Sequence, residues 1–541
     1  LPRLGSFWYY IFYLNMKKIL IIRFGAIGDV ILTSAAAINL KLSFPDSEIF
    51  YLTRRRTSGL IPLFPGVDEV LEFPQDASFR DLYRMGEYLD NLRFDIIVDL
   101  HGNLRSKYLM YHVTAPVKVQ YDKRRWERII AVYRKNINPN PPHTIDLYNS
   151  AIKKCGGKIY ANRSSLRIDH TEEIFNNNAP TIAFAPGASF DVKKWPSERF
   201  IELIRDVYNQ LNANIILLLT NKDKEFLSLE SKLSSERLKM YIDTELAALA
   251  EIIASADLTI SNDSAMAHLS SAVGTPVFAI FGPTHPTLGF APAGLYDSVI
   301  QTDEYCRPCS LHGRKRCYRD RQNCFEKITV NDVFERIQQN IENFNSRTKA
   351  LFVDRDGTLI KEKNFIDNPD EVEPEENSIE AIKLARQAGY KIIILSNQSG
   401  VARGYFDEET VRRINQRVLR LFELNAAPID DILYCPHHAD GKIPQYSFEC
   451  LCRKPAPGLI EKASRRFYIN PFTSYVIGDK CSDVNLAYVT GAKAVLVRTG
   501  YGTDEEEKLN FTNSFRPESI ENNLYDAVKY IVETEKMNRQ L

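Results

Sequence analysis

Short apolar runs rich in β-branched and aromatic residues alternate with stretches of helical periodicity almost from end to end of the chain. Residues 18–23, 48–53, 95–100 and 117–121 read as strands of a first parallel sheet. An asparagine-bearing polar stretch over 162–180 interrupts the rhythm, which resumes at 181–186, 214–220, 258–262 and 277–281. A third set begins at 349–354 and continues through 391–397, 474–478 and 493–498. Residues 331–347 read as a closing helix and linker, and an acidic run at 504–507 leads to a last amphipathic helix. Such alternation predicts an α/β chain of three doubly wound units. Their boundaries fall at 16–170, 171–345 and 346–503, with a leader over 1–15 and a tail and helix over 504–541. No repeat of solenoid period runs through the chain.

A chain of 541 residues exceeds one ordinary core, in keeping with several domains. With 44% hydrophobic and 26% charged residues it is globular rather than disordered. Lys+Arg and Asp+Glu are equal at 69 each, so no global field draws the protein to nucleic acid. An anionic partner must be held by a local site, which points to small phosphorylated ligands. The leader's aromatic run, Phe7-Trp8-Tyr9-Tyr10, is shorter than the roughly 20 apolar residues of a membrane span and lacks a small-residue cleavage site. Met16 directly precedes the first strand, so 1–15 read as upstream translated sequence or as an interfacial anchor. A cytoplasmic protein is expected.

The third unit carries the densest chemistry. Its first strand runs into Asp354-Arg355-Asp356-Gly357-Thr358, two carboxylates at the strand end where open α/β sheets bind ligands. One aspartate can attack phosphorus while the other protonates the leaving oxygen. A second strand ends in Ser396-Asn397-Gln398-Ser399, offering a hydroxyl and amide donors to phosphate. Lys454 supplies a fixed cation, and a fourth strand ends in Gly478-Asp479, with Asp483 on the following helical turn. Asp354 and Asp479 can then hold Mg²⁺. Ahead of Lys454, Cys435-Pro436-His437 and Cys450-Leu451-Cys452 supply three thiolates and an imidazole, a closed tetrahedral set for structural Zn²⁺; reduced loop cysteines are the alternative. His438 is left out, because adjacent side chains rarely converge on one tetrahedral metal.

These motifs resemble the haloacid-dehalogenase phosphatase superfamily over about residues 348–500. The short interval between the first two motifs leaves no room for a large cap. The zinc loop, with Ala402-Arg403-Gly404, is similar to the D-glycero-D-manno-heptose 1,7-bisphosphate 7-phosphatases; the histidinol-phosphate phosphatases share the same loop. The resemblance implies Asp354 as nucleophile and Asp356 as acid/base. It implies Ser396, Asn397 and Lys454 around the phosphoryl group, Arg403 and Arg453 on a second phosphate, and Asp354, Asp356 and Asp479 on Mg²⁺. Two guanidiniums suit a bisphosphate, and a solvated surface is their other reading.

At the front, Phe24-Gly25-Ala26-Ile27-Gly28-Asp29 turns from the first strand into a helix, with Asp29 on its first turn. In the second unit, strand ends carry Ala185-Pro186-Gly187-Ala188-Ser189, Ser261-Asn262-Asp263-Ser264-Ala265 and Phe281-Gly282-Pro283-Thr284, with Lys193-Lys194-Trp195 between the first two. Hydroxyls, a lysine and free helix amides gathered at one sheet edge make a pyrophosphate site without metal. Over about residues 16–345 this arrangement resembles the ADP-heptose heptosyltransferases, which have two Rossmann-like domains of the GT-B kind. The resemblance implies an acceptor domain over 16–170 and a donor domain over 171–345. It implies Asp29 as general base, Ser189 and Lys193 on the departing diphosphate, and Asp263 and Ser264 on the donor. Glu225 would meet the donor's sugar or ribose. His143 and His268 read as ligand-facing or as satisfied structural histidines. Ala265 departs from the family's glycine, which puts donor affinity in question.

Arg54-Arg55-Arg56 and Lys123-Arg124-Arg125 read as a solvated basic face or as contacts to an acidic, lipid-linked acceptor at the inner membrane. Cys306-x₂-Cys309-x₇-Cys317-x₆-Cys324 has spacing compatible with Zn²⁺ or an iron–sulfur centre. Together the halves imply a bifunctional enzyme of heptose and lipopolysaccharide core synthesis, with an ADP-heptose-like donor, a glycan or lipid-linked acceptor and a heptose bisphosphate. The competing readings are a histidinol-phosphate phosphatase, a transferase for another nucleotide sugar and an inactive glycan-binding module.

Overall fold

The computed structural model describes residues 16–538 apart from 136, 137, 139, 169–173, 312, 314, 315, 320, 346 and 347. The leader over 1–15, the boundary at 170/171 and residue 346 lie outside the described residues. Three parallel sheets follow one another in sequence. The first contains β1 (Lys17–Ile22), β2 (Ser47–Arg54), β3 (Glu69–Phe73), β4 (Ile96–Asp99) and β5 (Val117–Gln120), in the order β3-β2-β1-β4-β5. The second contains β6 (Thr181–Ala185), β7 (Asn214–Leu219), β8 (Leu238–Ile242), β9 (Leu258–Asn262), β10 (Val277–Ile280) and β11 (Ser298–Ile300), in the order β11-β10-β9-β6-β7-β8. The third contains β12 (Ala350–Asp354), β13 (Lys391–Asn397), β14 (Asp431–Cys435), β15 (Tyr475–Gly478), β16 (Lys493–Val497) and β17 (Ser519–Glu521), in the order β14-β13-β12-β15-β16-β17. The chain divides into two compact units, one carrying the first two sheets and the other the third.

In every sheet the first strand of the unit is central, and its carboxyl end opens where the strand order reverses. That is where ligands bind in open α/β sheets. Asp354 ends β12 with β13 and β15 on either side, in registers that bring the ends of all three together. In the second sheet β6 lies between β7 and β9, so the loops after β6 and β9 share one edge. Helices cover both faces. Val330–Asn345 packs on Ser197–Gln210 and closes the second sheet around Trp195, Phe200, Phe334 and Ile337.

The stretch beyond 503 is not an appended tail. Helix Gly502–Asn510 packs on β16, and β17 pairs with β16 as the sixth strand of the sheet. Helix Leu524–Asn538 packs on Ser378–Gln387 and sends Leu524, Val528 and Ile531 into the core. These side chains share one buried cluster with Leu351, Val353, Ile392 and Ile394, so the expected boundary at 503/504 cuts through one core. Among the described residues no helix is long and apolar enough to cross a membrane.

Candidate active sites

The C-terminal unit gathers its charged residues at the β12 end. Oxygens of Asp354, Asp479 and Asp483 all lie within 4.8 Å of one another, and all three residues are buried. Lys454 threads between two of them, with Nζ donating to Asp354 Oδ1 at 2.7 Å and to the Leu395 carbonyl at 3.0 Å, and lying 2.6 Å from Asp483 Oδ1. Its backbone is pinned by Asn397, whose Oδ1 accepts from the Lys454 amide and whose Nδ2 donates to the Lys454 carbonyl. Lys480 stands at the rim, 3.1 Å from Asp479 Oδ1, 3.7 Å from Glu362 and 4.0 Å from Asp354 Oδ2. Gly357 has φ +88° and sits so close to the Asp479 carboxylate that a side chain there would collide with it.

Burial opposes ionisation of Asp354, but Lys454 and Lys480 overcome it and hold the carboxyl below its ordinary range. Asp479 is pushed up to about 7 by burial and then by the Asp354 charge. Asp483 rises to about 6, burial outweighing Lys454. Asp483 Oδ2 is buried without a hydrogen-bond partner. Crowded carboxylates with an orphaned oxygen fit a hard divalent cation.

The second aspartate of the motif faces the other way. Asp356 Oδ1 accepts from Arg355 Nε at 3.0 Å, and Oδ2 accepts from Gln398 Nε2 at 2.8 Å and Ser396 Oγ at 3.3 Å. Its carboxylate therefore stays outside the three-aspartate group. Asp483, placed by the sequence only on the following helical turn, joins Asp354 and Asp479, while Arg355, Ser396 and Gln398 hold the Asp356 carboxylate apart from them. Sequence reading also gave Lys480, Gln398 and Arg355 no role. Their places directly after Asp479, Asn397 and Asp354 were the signal available for them.

Cys435 ends β14, and the loop after it returns Cys450 and Cys452 to the same spot. Cys435 Sγ lies 3.3 Å from Cys450 and 3.2 Å from Cys452, and His437 Nδ1 lies 3.3 Å from Cys452. The Cys435 thiol's hydrogen bond pulls Cys452 down to about 5, which favours a thiolate there. The loop carries Arg453, whose guanidinium donates to the His437 carbonyl, while Arg403 donates to His438 Nε2 at 3.4 Å. Both arginines are thus tied to the cysteine loop beside Lys454.

The front unit arranges its charges in pairs. Asp29, on helix Ile27–Leu32, is 2.6 Å from Arg23 through Oδ2 and accepts from the Tyr148 hydroxyl at 3.0 Å through Oδ1. Burial works against the Arg23 charge, and Asp29 together with Tyr148 and Tyr121 more than offsets it. In the second sheet Lys193 Nζ lies 2.7 Å from Asp263 Oδ2, which also accepts from Thr284 at 2.6 Å. Ser264 caps helix Ala265–Ala272, its hydroxyl accepting from the Met266 amide. That helix packs on Ile27–Leu32, where His268 meets Gly28 so closely that a side chain at 28 would strike the ring. His268 is buried with Nδ1 unpartnered, and burial drives it down to about 4. Among charges, Asp263 acts on it most strongly, followed by His143, Asp29 and Lys193.

The remaining expected residues sit further out. Ser189 is exposed on the loop after β6, and Glu225 is exposed with Oε1 accepting from Ser197 at 2.8 Å. His143 is a helix cap, with Nδ1 accepting from the Ile145 amide and Nε2 meeting the Ala291 carbonyl, a structural use of both nitrogens. Cys306, Cys309, Cys317 and Cys324 line one small pocket with Val192 and Gln322. Among the described residues they do not form a group of three or more ligands within 4.8 Å, unlike the loop at Cys435.

The model of Glycosyltransferase family 9 (heptosyltransferase) matches residues 82–317. Models of HAD-hydrolase-like proteins and of mitochondrial PGP phosphatase match residues 451–527 and 311–426. The D-glycero-alpha-D-manno-heptose-1,7-bisphosphate 7-phosphatase of Photorhabdus laumondii is 37% identical over 161 residues, covering 30% of this chain and 88% of that protein. The D-glycero-beta-D-manno-heptose-1,7-bisphosphate 7-phosphatase of Pasteurella multocida is 38% identical over 163 residues, covering 30% and 87%. A glycosyl transferase family 9 structure from Veillonella parvula is 21% identical, covers 61% of this chain and 98% of its own, and has a TM-score of 0.49.

Proposed function

This chain belongs to the D-glycero-D-manno-heptose-1,7-bisphosphate 7-phosphatase family through its C-terminal unit, behind a glycosyltransferase family 9 domain, and from that membership we propose how its two sites act. The chain is a bifunctional enzyme of heptose and lipopolysaccharide synthesis, a GT-B glycosyltransferase followed by a haloacid-dehalogenase-type phosphatase. The front unit divides into an acceptor half over 16–170 and a donor half over 171–345. The phosphatase substrate is the heptose 1,7-bisphosphate named for the relatives, which include both anomers.

In the phosphatase, Asp354 attacks the phosphorus of the 7-phosphate. The bond from phosphorus to the sugar oxygen breaks, and Asp356 gives that oxygen its proton. Water then attacks the aspartyl-phosphate, Asp356 takes a proton from it, and phosphate leaves with Asp354 restored. Lys454, Ser396 and Asn397 hold the transferring group, and Arg403 and Arg453 grip the other phosphate through paired hydrogen bonds. The observation that carries this reading is the split between Asp354, packed against Lys454, and Asp356, turned to Ser396 and Gln398. Mg²⁺ fits Asp354, Asp479 and Asp483, and when bound it screens the carboxylate from the phosphate's charge. Zn²⁺ fits Cys435, His437, Cys450 and Cys452 as a closed site that fixes the loop carrying Arg453 and Lys454.

In the transferase, Asp29 takes the acceptor hydroxyl's proton as that oxygen attacks the anomeric carbon of an ADP-heptose-like donor. The bond to the diphosphate breaks on the opposite face, giving inversion. Lys193 and Ser189 receive the departing diphosphate, and Asp263, Ser264 and the amides of Ala265–Ala272 hold the donor, with His268 beside it and Glu225 reaching its sugar or ribose. The acceptor is a glycan or lipid-linked saccharide met at the cytoplasmic face of the inner membrane, where the protein is peripheral. Phosphate release from heptose 1,7-bisphosphate compared with histidinol phosphate tests the substrate, and equal rates on both remove the heptose assignment. Transfer from ADP-heptose tests the front unit, and no transfer from any nucleotide sugar would make it a binding module.

A further inference from the structure

We propose that helix Arg125–Arg134 of the transferase unit docks on an anionic lipid surface, an inference that rests on the peripheral membrane contact proposed above. A surface helix ordinarily turns its apolar stripe inward. This one does the opposite. None of its residues is buried, and Trp126, Ile130 and Tyr133 are 76%, 46% and 88% exposed. Spaced by four and then three residues, they share a single stripe. Arg125 and Arg134, both exposed, flank that stripe on its two sides.

The opposite side of the helix is already engaged. Arg128 lies 4.6 Å from the centre of the Phe290 ring and donates to Thr144 Oγ1 at 2.9 Å. Lys135, just past the last turn, donates to the Pro308 carbonyl at 2.7 Å. These anchors fix which face looks outward. The helix's one acidic residue, Glu127, is taken by Arg124 at 2.7 Å, so the outward flanks are cationic.

Tryptophan and tyrosine settle where headgroups meet acyl chains, and arginine pairs with lipid phosphates. Three side chains on one short helix fall far below the roughly 800 Å² per partner that a stable protein interface buries. A lipid surface makes no such demand, and attraction to anionic headgroups adds to the apolar term.

The test is sedimentation of the full chain with phosphatidylcholine vesicles, with and without phosphatidylglycerol. Wild type is expected to partition onto the anionic vesicles about tenfold better than onto the neutral ones. The pairs Trp126→Ser/Tyr133→Ser and Arg125→Glu/Arg134→Glu should each lose about tenfold in that partitioning, with phosphatase activity and melting temperature unchanged. If wild type and both pairs bind anionic vesicles equally, this helix is not the docking element, though the membrane contact stands. If wild type binds neither vesicle, both fall. Self-association that Trp126→Ser/Tyr133→Ser abolishes without any lipid would assign the face to a second copy and overturn the proposal.

Discussion

The two candidate sites both lie at the carboxyl ends of parallel strands, yet they balance charge in opposite ways. In the phosphatase, Asp354, Asp479 and Asp483 crowd together, Lys454 reaches only two of them, and burial pushes Asp479 and Asp483 upward. In the transferase each carboxylate has its own cation, Arg23 for Asp29 and Lys193 for Asp263. Three aspartates share two lysines, Lys454 and Lys480, in the first site, whereas the second gives each carboxylate one cation. The Mg²⁺ proposed for the phosphatase alone rests on that contrast. The comparison makes the pairing of charges, not proximity to phosphate, the feature on which metal dependence is to be tested.

The largest effect expected from breaking that contrast is at Asp354. Asp354→Asn should lower phosphate release by at least about 10³-fold by removing the nucleophile, with transfer unchanged. The mirror experiment, Asp29→Ala, should lower transfer about 10²- to 10⁴-fold, the usual worth of a general base, and leave phosphate release alone. An effect of either substitution on the other activity would mean that the sites are not separate. Cys452→Ser probes the loop rather than the chemistry. It should release zinc, measured by elemental analysis, and lower the phosphatase unit's melting temperature by about 5–10 °C.

The smallest expected effect concerns pH. His268 has an ordinary value of 6.5 that burial lowers to about 4. Between those values the unfolded chain binds a proton that the folded chain refuses, so stability is complete above about 6.5 and is lost as pH falls toward 4. The full loss from this one group is on the order of 3 kcal/mol. Urea unfolding of the full chain from pH 7 to pH 4 should show a shallower fall for His268→Asn. An unchanged slope would show that the ring does not titrate as described.

The central strands were legible in the sequence because they are covered on both faces and are apolar at nearly every position, as in β1, β7, β12 and β13. The strands that escaped it, β3, β8, β11, β14 and β17, all lie at sheet edges. There one face meets solvent, and β3 and β8 mix charged with apolar residues, as in Glu69-Val70-Leu71-Glu72-Phe73. The short β5 was the one edge strand that could be read. Missing β17 also made the last residues look like a tail. In the active sites, the motif residues at strand ends could be read, because their spacing follows from the strand itself. Asp483's closeness to Asp354 could not, because it depends on how helix Cys481–Thr490 leaves β15. The face shown by Arg125–Arg134 was hidden for a similar reason, since its anchors Phe290 and Pro308 lie far along the chain.

The most direct measurement follows both activities in one preparation of the full chain while a chelator is added and Mg²⁺ is then returned. The charge pairing predicts that phosphate release from heptose 1,7-bisphosphate falls by about 10²-fold or more and is restored by Mg²⁺ alone, while heptose transfer stays within about twofold. Phosphate release that survives chelation, or transfer that falls and recovers with it, would contradict the account.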